Sequence, residues 1–391
     1  MTPSPLTPLR PPRVLLLLHE LTRTGAPGLA LGTFEALSGK IELRMVAQTG
    51  GPLADRFRRL GNLSILSRDR RDQPHHRTHL ARKSIAVSWD SAVETVARFA
   101  VARWRPDVVY VNSVHALPLV ARMGVRGLPT ILHVHELTVA LACYEAAHPG
   151  LIRAVPERYV AVSSAVREEL ADRYRIDRER ITIVRPFVVV PVTLVPGSVS
   201  ASGESGRVVV GGMGNPSWYK GLPLWLLAAR EVADQLGEDR VRFTWIGIRD
   251  TDEGRQARAM AAKLRLDSIV DFVPESEDVA QHLARLDVLA MSSWEEAAPL
   301  TVLEAMAQGI PVVSFAGSGG PAEEIGEAGV IVRDFSPAGM AHAIADLARH
   351  PAQRKRLGLA GRERAQSAFS RETSVAAILN QIASLSSART V

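Results

Sequence analysis

Short, continuously apolar runs alternate with stretches of helical periodicity along this chain, and they do so twice, on either side of one Ser- and Gly-rich stretch. Runs such as Arg13–His19 (RVLLLLH), Val108–Asn112 (VVYVN) and Thr130–Val134 (TILHV) have no polar face, the pattern of strands covered on both sides. Interleaved with helices, they predict an α/β protein with parallel, doubly wound sheets.

In the first half the pattern predicts a helix over Gly28–Leu37, a strand over Ile41–Ala47, a helix stopped by Arg105-Pro106-Asp107, and a strand over Tyr159–Val162. An amphipathic helix over Ala165–Tyr174, capped by Ser164, and a strand over Ile181–Val184 follow. In the second half the expected strands are Arg207–Val210, Arg242–Ile246, Ile269–Phe272, Val288–Met291 and Pro311–Phe315. Helices are expected over Leu222–Leu236, Arg255–Leu264, Val279–Leu286, Pro299–Gln308 and around Pro321–Ile325, and from Pro337 to about Leu385. The expected organisation is a domain at 1–190, a linker at 191–206, a domain at 207–370 and a helix at 371–391 packing back on the first domain. Ligands of open α/β sheets bind at the carboxyl ends of strands, so a cleft between two facing sheets is the default site.

Composition narrows the function classes. With 391 residues, 46% hydrophobic and 23% charged, the chain has the make-up of a globular protein rather than a disordered or fibrous one. Cys143 is the only cysteine, which excludes an internal disulfide and suits a reducing cytoplasm. The longest aliphatic run, Val14–Leu18, is far short of the roughly 20 residues of a membrane span and lacks a small-residue cleavage site after it. The net charge of +6 is uneven: residues 1–190 carry +10 and residues 191–391 carry −4. A basic half suits nucleic acid, an anionic lipid surface or an acidic small substrate. With aromatics at 5%, the interleaving of basic and aromatic residues used to bind RNA is absent.

Three segments carry chemistry. Met291–Gly309 (MSSWEEAAPLTVLEAMAQG) places Pro299 in the first turn of a helix and Gly309 just past its end. The amides of Ala297–Leu300 would then lack internal partners and favour a phosphate. Glu296 precedes this helix, and Glu304 lies inside it among apolar residues, where a carboxylate needs a partner: a sugar or ribose hydroxyl on one reading, a helix cap and a buried structural ion pair on the other. Val208–Gly221 (VVVGGMGNPSWYKG) is a strand leading to Gly211, Gly212 and Gly214 and then Lys220: either the glycines let amides approach an anion whose charge Lys220 meets, or they make a plain tight turn between strand and helix. Thr22–Gly28 (TRTGAPG) is a glycine-bearing loop after the first strand.

Glu296-x7-Glu304, Lys220-Gly221, His135-Glu136 after a strand, and VAVSSAVREEL at 160–170 together resemble a retaining glycosyltransferase of family 4, with the GT-B fold of two Rossmann-like domains facing across a cleft. The resemblance runs in order from the TGAP loop to Gly329. It implies that Glu296 contacts the donor sugar, Glu304 the nucleotide ribose, and Lys220 with the amides of Ala298, Pro299 and Leu300 the diphosphate. Gly212 and Gly214 are implied on the donor side, with Val273 and Pro274 near the base. Gly25, Ala26 and Pro27 are implied beside the acceptor, and His135 near the reacting sugar, so that Glu296, His135 and Lys220 form the catalytic group. His133 reads as a packed strand residue, and His19-Glu20 as a strand-end pair that could face the site.

The implied partners are a nucleotide-diphosphate sugar and an anionic or lipid-linked acceptor, with no cofactor, no metal and no nucleic acid. The implied setting is cell-envelope or secondary-metabolite glycosylation in the cytoplasm, with peripheral contact at the inner face of the membrane through the basic domain. The sequence departs from the family at two places. Asn215 and Gly214 stand where a second diphosphate ligand, an Arg, is usual, and Arg185-Pro186-Phe187 replaces a frequent Asn-Gly before the linker. Asp250-Thr-Asp252 has the form of a metal-binding DxD outside its usual context. His75, His76 and His79, among Arg68, Arg70, Arg71, Arg77, Arg82 and Lys83, read as a solvated basic loop.

Overall fold

The computed structural model describes residues 10–67, 81–190, 206–276 and 278–387. Residues 191–205 of the expected linker lie outside them, as do Arg68, Arg70, Arg71, His75, His76, Arg77 and His79 and the side chains of Arg82 and Lys83. The chain divides into two units, Met1–Arg185 with Glu372–Val391, and Pro186–Arg371.

The first unit contains β1 (Arg13–Leu18), β2 (Glu42–Thr49), β3 (Asn62–Ser67), β4 (Val108–Asn112), β5 (Thr130–Val134), β6 (Arg158–Ala161) and β7 (Ile181–Ile183). All pair in parallel, in the order β3-β2-β1-β4-β5-β6-β7. Chain direction across the sheet reverses at β1 and β4, and ligands of such sheets gather at the carboxyl ends beside that reversal. Central strands are buried throughout, as their unbroken apolar runs require. Asn62–Ser67 was not expected from the sequence: as an edge strand it buries only Leu66 and alternates instead of running apolar. The helix Arg371–Ser387 sends Val375, Ile378, Ile382 and Leu385 into the same core as Leu16, Leu18 and Phe34. Those four sit at helical spacing on one face, and each fully buried side chain of this size contributes roughly 1.5–3 kcal/mol.

The second unit contains β8 (Val208–Met213), β9 (Val241–Ile248), β10 (Val270–Pro274), β11 (Val288–Met291), β12 (Val312–Phe315) and β13 (Val330–Val332). They form a parallel sheet in the order β10-β9-β8-β11-β12-β13. Its core holds Trp225, Phe243 and Trp245, with Trp225 meeting both other rings edge-on at 5.5 and 5.4 Å. β13 is again a half-buried edge strand that the apolar pattern does not announce.

Four local expectations are corrected. Helix Gly25–Ala36 begins three residues early, so Gly25, Ala26 and Pro27 are its first turn and not a loop. Ser163, not Ser164, caps helix Ser164–Asp172, accepting from the Val166 amide at 3.4 Å. Strand β8 runs on to Met213, which takes Gly211 and Gly212 out of the turn and into the ladder. Pro299 is the residue before the helix Leu300–Ala307 and not in its first turn.

Candidate active site

In the second unit, Lys220 closes a short 3-10 turn, Trp218–Lys220, between β8 and helix Leu222–Leu236. That turn is zipped to the end of β11: the Trp294 amide donates to the Tyr219 carbonyl at 2.7 Å, and Ser292 Oγ donates to the Lys220 carbonyl at 3.0 Å. Gly221 is forced by this docking. Its φ is +67°, and a Cβ there would stand 2.0 Å from the Ser292 carbonyl oxygen. Lys220 Nζ thereby reaches Glu296 Oε1 at 2.6 Å, and Ser293 Oγ donates to the same oxygen at 2.8 Å. Burial alone would lower the Lys220 pKa, but Glu296 and then Tyr219 outweigh it and the net shift is upward.

Glu296 is pinned at its backbone as well. Its amide donates to Ser318 O at 2.8 Å and its carbonyl accepts from the Gly320 amide at 2.8 Å. Gly320 lies so close that a Cβ would meet Ala297 O at 2.1 Å. Beyond this clamp the chain turns through Ala298 and Pro299 into helix Leu300–Ala307, closed by Gly309 at φ +75°. The amides of Ala298, Leu300 and Thr301 donate to no described residue. One ammonium, a row of unengaged amides at a helix start and a fixed carboxylate suit a ligand that pairs an anion with hydroxyls.

Glu304 follows about one turn into that helix. Its carboxylate makes no hydrogen bond or ion pair with a described residue, and burial raises its pKa to about 7. Glu324, on helix Gly320–Ile325, is buried with both carboxylate oxygens unpartnered. Burial first, then the charges of Glu296 and Glu323, push its pKa well above the carboxylate range.

The expected glycine turn is not an anion nest. Gly212 has no room for a side chain because a Cβ would meet Trp245 at 2.4 Å and Trp225 at 2.8 Å. The Gly214 amide is spent on Ile246 O at 2.9 Å; with φ +141° and a Cβ site 3.1 Å from the Lys220 side chain, Gly214 makes room for the lysine stem. Asn215, where the family's Arg was missed, accepts from Ser217 Oγ at 2.6 Å. Val273 and Pro274 end β10 at a register irregularity, and no hydrogen bond links them to the Lys220 group among the described residues. Asp250 and Asp252 both pair with Arg255, at 2.6 and 2.7 Å.

In the first unit, the carboxyl ends of β1, β4 and β5 gather His19, His115, His133 and His135. His133 and His135 rings lie 4.1 Å apart, His19 and His115 rings 5.8 Å apart. His133 is a buried strand residue, as the sequence suggested, with Nδ1 2.8 Å from Tyr110 Oη. Burial lowers its pKa to about 3. Burial, then His133 and His19, also hold His135 well below the usual histidine value. His19 sits 3.4 Å from Glu20, whose carboxyl is held down at about 2 by His19 and by Thr22 and Thr24, against the upward push of burial.

Residues 35–190 match the sequence model of the family described as Glycosyltransferase Family 4, and residues 206–350 that described as Glycosyl transferases group 1. The chain belongs to these glycosyltransferases. D-inositol 3-phosphate glycosyltransferases are among its relatives: that of Geodermatophilus obscurus is 32% identical over 56% of this chain and 50% of its own, that of Corynebacterium efficiens 33% over 57% and 55%. The chain spans about half the length of the curated relatives it matches. HepE of Anabaena, solved in complex with UDP and glucose, superposes with a TM-score of 0.76 at 17% identity, over 95% of this chain and 99% of its own. The fold is GT-B.

Motif spacing points to Lys220, Glu296, Glu304 and His135, and the geometry adds Ser293, Gly320 and Asn112 as residues that contact or position them. Asn112 is fully buried and joins His135 Nε2 at 2.9 Å to the Ala26 carbonyl at 3.2 Å. The available signals were slight: a Ser three residues before Glu296 and a polar residue ending an apolar strand.

Proposed function

We propose that this chain transfers a sugar from a nucleoside-diphosphate sugar to an acceptor hydroxyl, with retention of anomeric configuration and without a metal ion. One arrangement carries the reading: Lys220, Glu296 and Ser293 joined within 2.8 Å beside a helix start whose amides are unengaged. Negative charge grows on the departing diphosphate as the glycosidic bond breaks, and fixed donors aimed there act most strongly in the transition state. Lys220 and the amides of Ala298 and Leu300 would supply them, Glu296 would hold sugar hydroxyls, and Glu304 the ribose. Attack on the face the diphosphate leaves lets its oxygen take the acceptor proton, so no protein nucleophile is needed.

HepE's complex with UDP and glucose supports a uridine donor as the first to test. The +10 charge of residues 1–190 and the phosphate named in the relatives' acceptor support an anionic or lipid-linked acceptor, with the basic half at the cytoplasmic membrane surface. Among the described residues no helix is long and apolar enough to cross a membrane.

The test is a thermal-shift screen of UDP-, GDP-, dTDP- and ADP-sugars, followed by turnover with the stabilising donor and NMR of the product anomer. A ligand that binds only the folded state raises its apparent stability. An inverted product overturns retention, and affinity without nucleotide release makes the chain a binder.

A further inference from the structure

Asn112 ends β4 with no exposed surface, and its amide bridges two elements of the first unit. Its Nδ2 donates to the Ala26 carbonyl at 3.2 Å, in the first turn of helix Gly25–Ala36, and its Oδ1 lies 2.9 Å from His135 Nε2. A carbonyl only accepts, so the amide NH2 must face Ala26 and the amide oxygen must face the ring. His135 Nε2 therefore carries a proton. A ring holding one proton then has a bare lone pair at Nδ1, and His135 Nδ1 makes no hydrogen bond to any described residue.

The surroundings keep the ring at one proton and in one pose. The His133 ring lies tilted against it with centroids 4.1 Å apart, and His133 and His19 both disfavour a second positive charge. Glu136, the acid next in sequence, is turned to the backbone, accepting from the His135 amide at 2.9 Å and bonding Ser113 Oγ. Ser113 adopts φ +82°, strain of roughly 1–3 kcal/mol that persists only where neighbours over-determine it. The strained residue directly follows Asn112.

We propose that Asn112 is a positioning residue that fixes His135 as the Nε2–H tautomer, presenting Nδ1 as a hydrogen-bond acceptor for a substrate hydroxyl and tying that ring to the first turn of helix Gly25–Ala36. The proposal rests on the transferase reading for the identity of the hydroxyl, but not for the tautomer. Removing the Asn112 oxygen strands a buried Nε2–H, whereas a bare Nε2 is a smaller loss, so the proton moves to Nδ1.

The experiment is ring-nitrogen NMR on the full chain with 15N-labelled histidine, His135 being assigned by loss of its signals in His135→Gln. The wild type should show a protonated Nε2 and a bare Nδ1, and Asn112→Leu should reverse them. With UDP-glucose and its acceptor, kcat of Asn112→Leu should fall roughly ten- to hundredfold, while UDP affinity by calorimetry stays unchanged. If Asn112→Leu does not fold, Asn112→Asp keeps an acceptor at Nε2 and should add a second proton at Nδ1, seen as a new titration. A wild-type Nδ1–H, an unchanged tautomer in Asn112→Leu, or no new titration in Asn112→Asp overturns the proposal. A chain that turns over no donor overturns the transferase reading and leaves the tautomer result standing.

Discussion

Lys220 Nζ and Glu296 Oε1 lie 2.6 Å apart, although 76 residues separate them in sequence, and side-chain exposures of 18% and 10% leave the pair mostly out of water. An ion pair this dry contributes little net stability when intact, but losing one partner strands the other charge. The two residues proposed to act on the donor are thus also each other's support.

The first prediction follows from that dependence. Glu296→Ala should lower stability by about 3 kcal/mol as well as abolish transfer, because it strands the Lys220 charge. Glu296→Gln also leaves the Lys220 charge uncompensated but keeps a carbonyl oxygen to accept from it, so it should cost clearly less stability than Glu296→Ala while losing most turnover. Urea denaturation with parallel donor turnover separates the effects; a fully active Glu296→Gln would remove the carboxylate from the mechanism.

Ser293 gives a second prediction. Ser293 Oγ donates to Glu296 Oε1, so if a diphosphate draws Lys220 away as proposed, Ser293 would be the partner that keeps that oxygen in place. Ser293→Ala should therefore cost about 1 kcal/mol, roughly fivefold, in kcat/KM, and Ser293→Thr should restore part of it. Equal activity of all three proteins would show that Glu296 needs no second partner.

What the sequence could announce follows from where the determining contacts lie. Central strands such as Val108–Asn112 and Thr130–Val134 are covered on both faces, and composition alone marks them. Asn62–Ser67 and Val330–Val332 sit at sheet edges, half exposed, and carry no such mark. Lys220 and Glu296 stand out through local motif spacing. The need for Gly221 and Gly320 comes from carbonyls 71 and 23 positions away, and the role of Asn112 from a ring 23 positions away, none of which a local pattern encodes. Gly212 misled for the same reason: two tryptophans, not an anion, require it.

Acid should weaken the first unit. His133 titrates near 3 when folded and near its ordinary value, about 6.5, when unfolded. Between those values the unfolded chain binds a proton that the native chain does not, so stability is complete above about pH 6.5 and is lost as pH falls. The slope from one such histidine is about 1.4 kcal/mol per pH unit. His133→Phe should flatten the acid limb of a urea-stability profile between pH 6 and 4; an unchanged limb would place the acid sensitivity elsewhere.

Glu324 has the opposite sign. Its folded pKa is raised, so its carboxyl carries no penalty below the unfolded value of about 4.5 and loses stability as pH rises toward the folded value. Glu324→Gln should stabilise the protein by about 1–3 kcal/mol at pH 8 and leave it nearly unchanged at pH 4. Thermal denaturation at the two pH values is the measurement. A substitution that destabilises at pH 8 would mean the carboxylate has a partner there.

Glu304 links the same physics to the donor. With its pKa at about 7 through burial, the carboxyl is mostly protonated at pH 6. Two ribose hydroxyls donating to it, as proposed for the donor, would favour the ionised form and lower that value on binding. UDP binding at pH 6 should therefore release a proton, approaching one per site, and release almost none at pH 8.5, where the carboxyl is already ionised. Calorimetry at each pH in buffers of different ionisation enthalpy counts these protons. Glu304→Gln should abolish the release and weaken UDP binding roughly ten- to hundredfold, the cost of hydrogen bonds to a charged acceptor. Proton release that persists in Glu304→Gln would assign the linkage to another group.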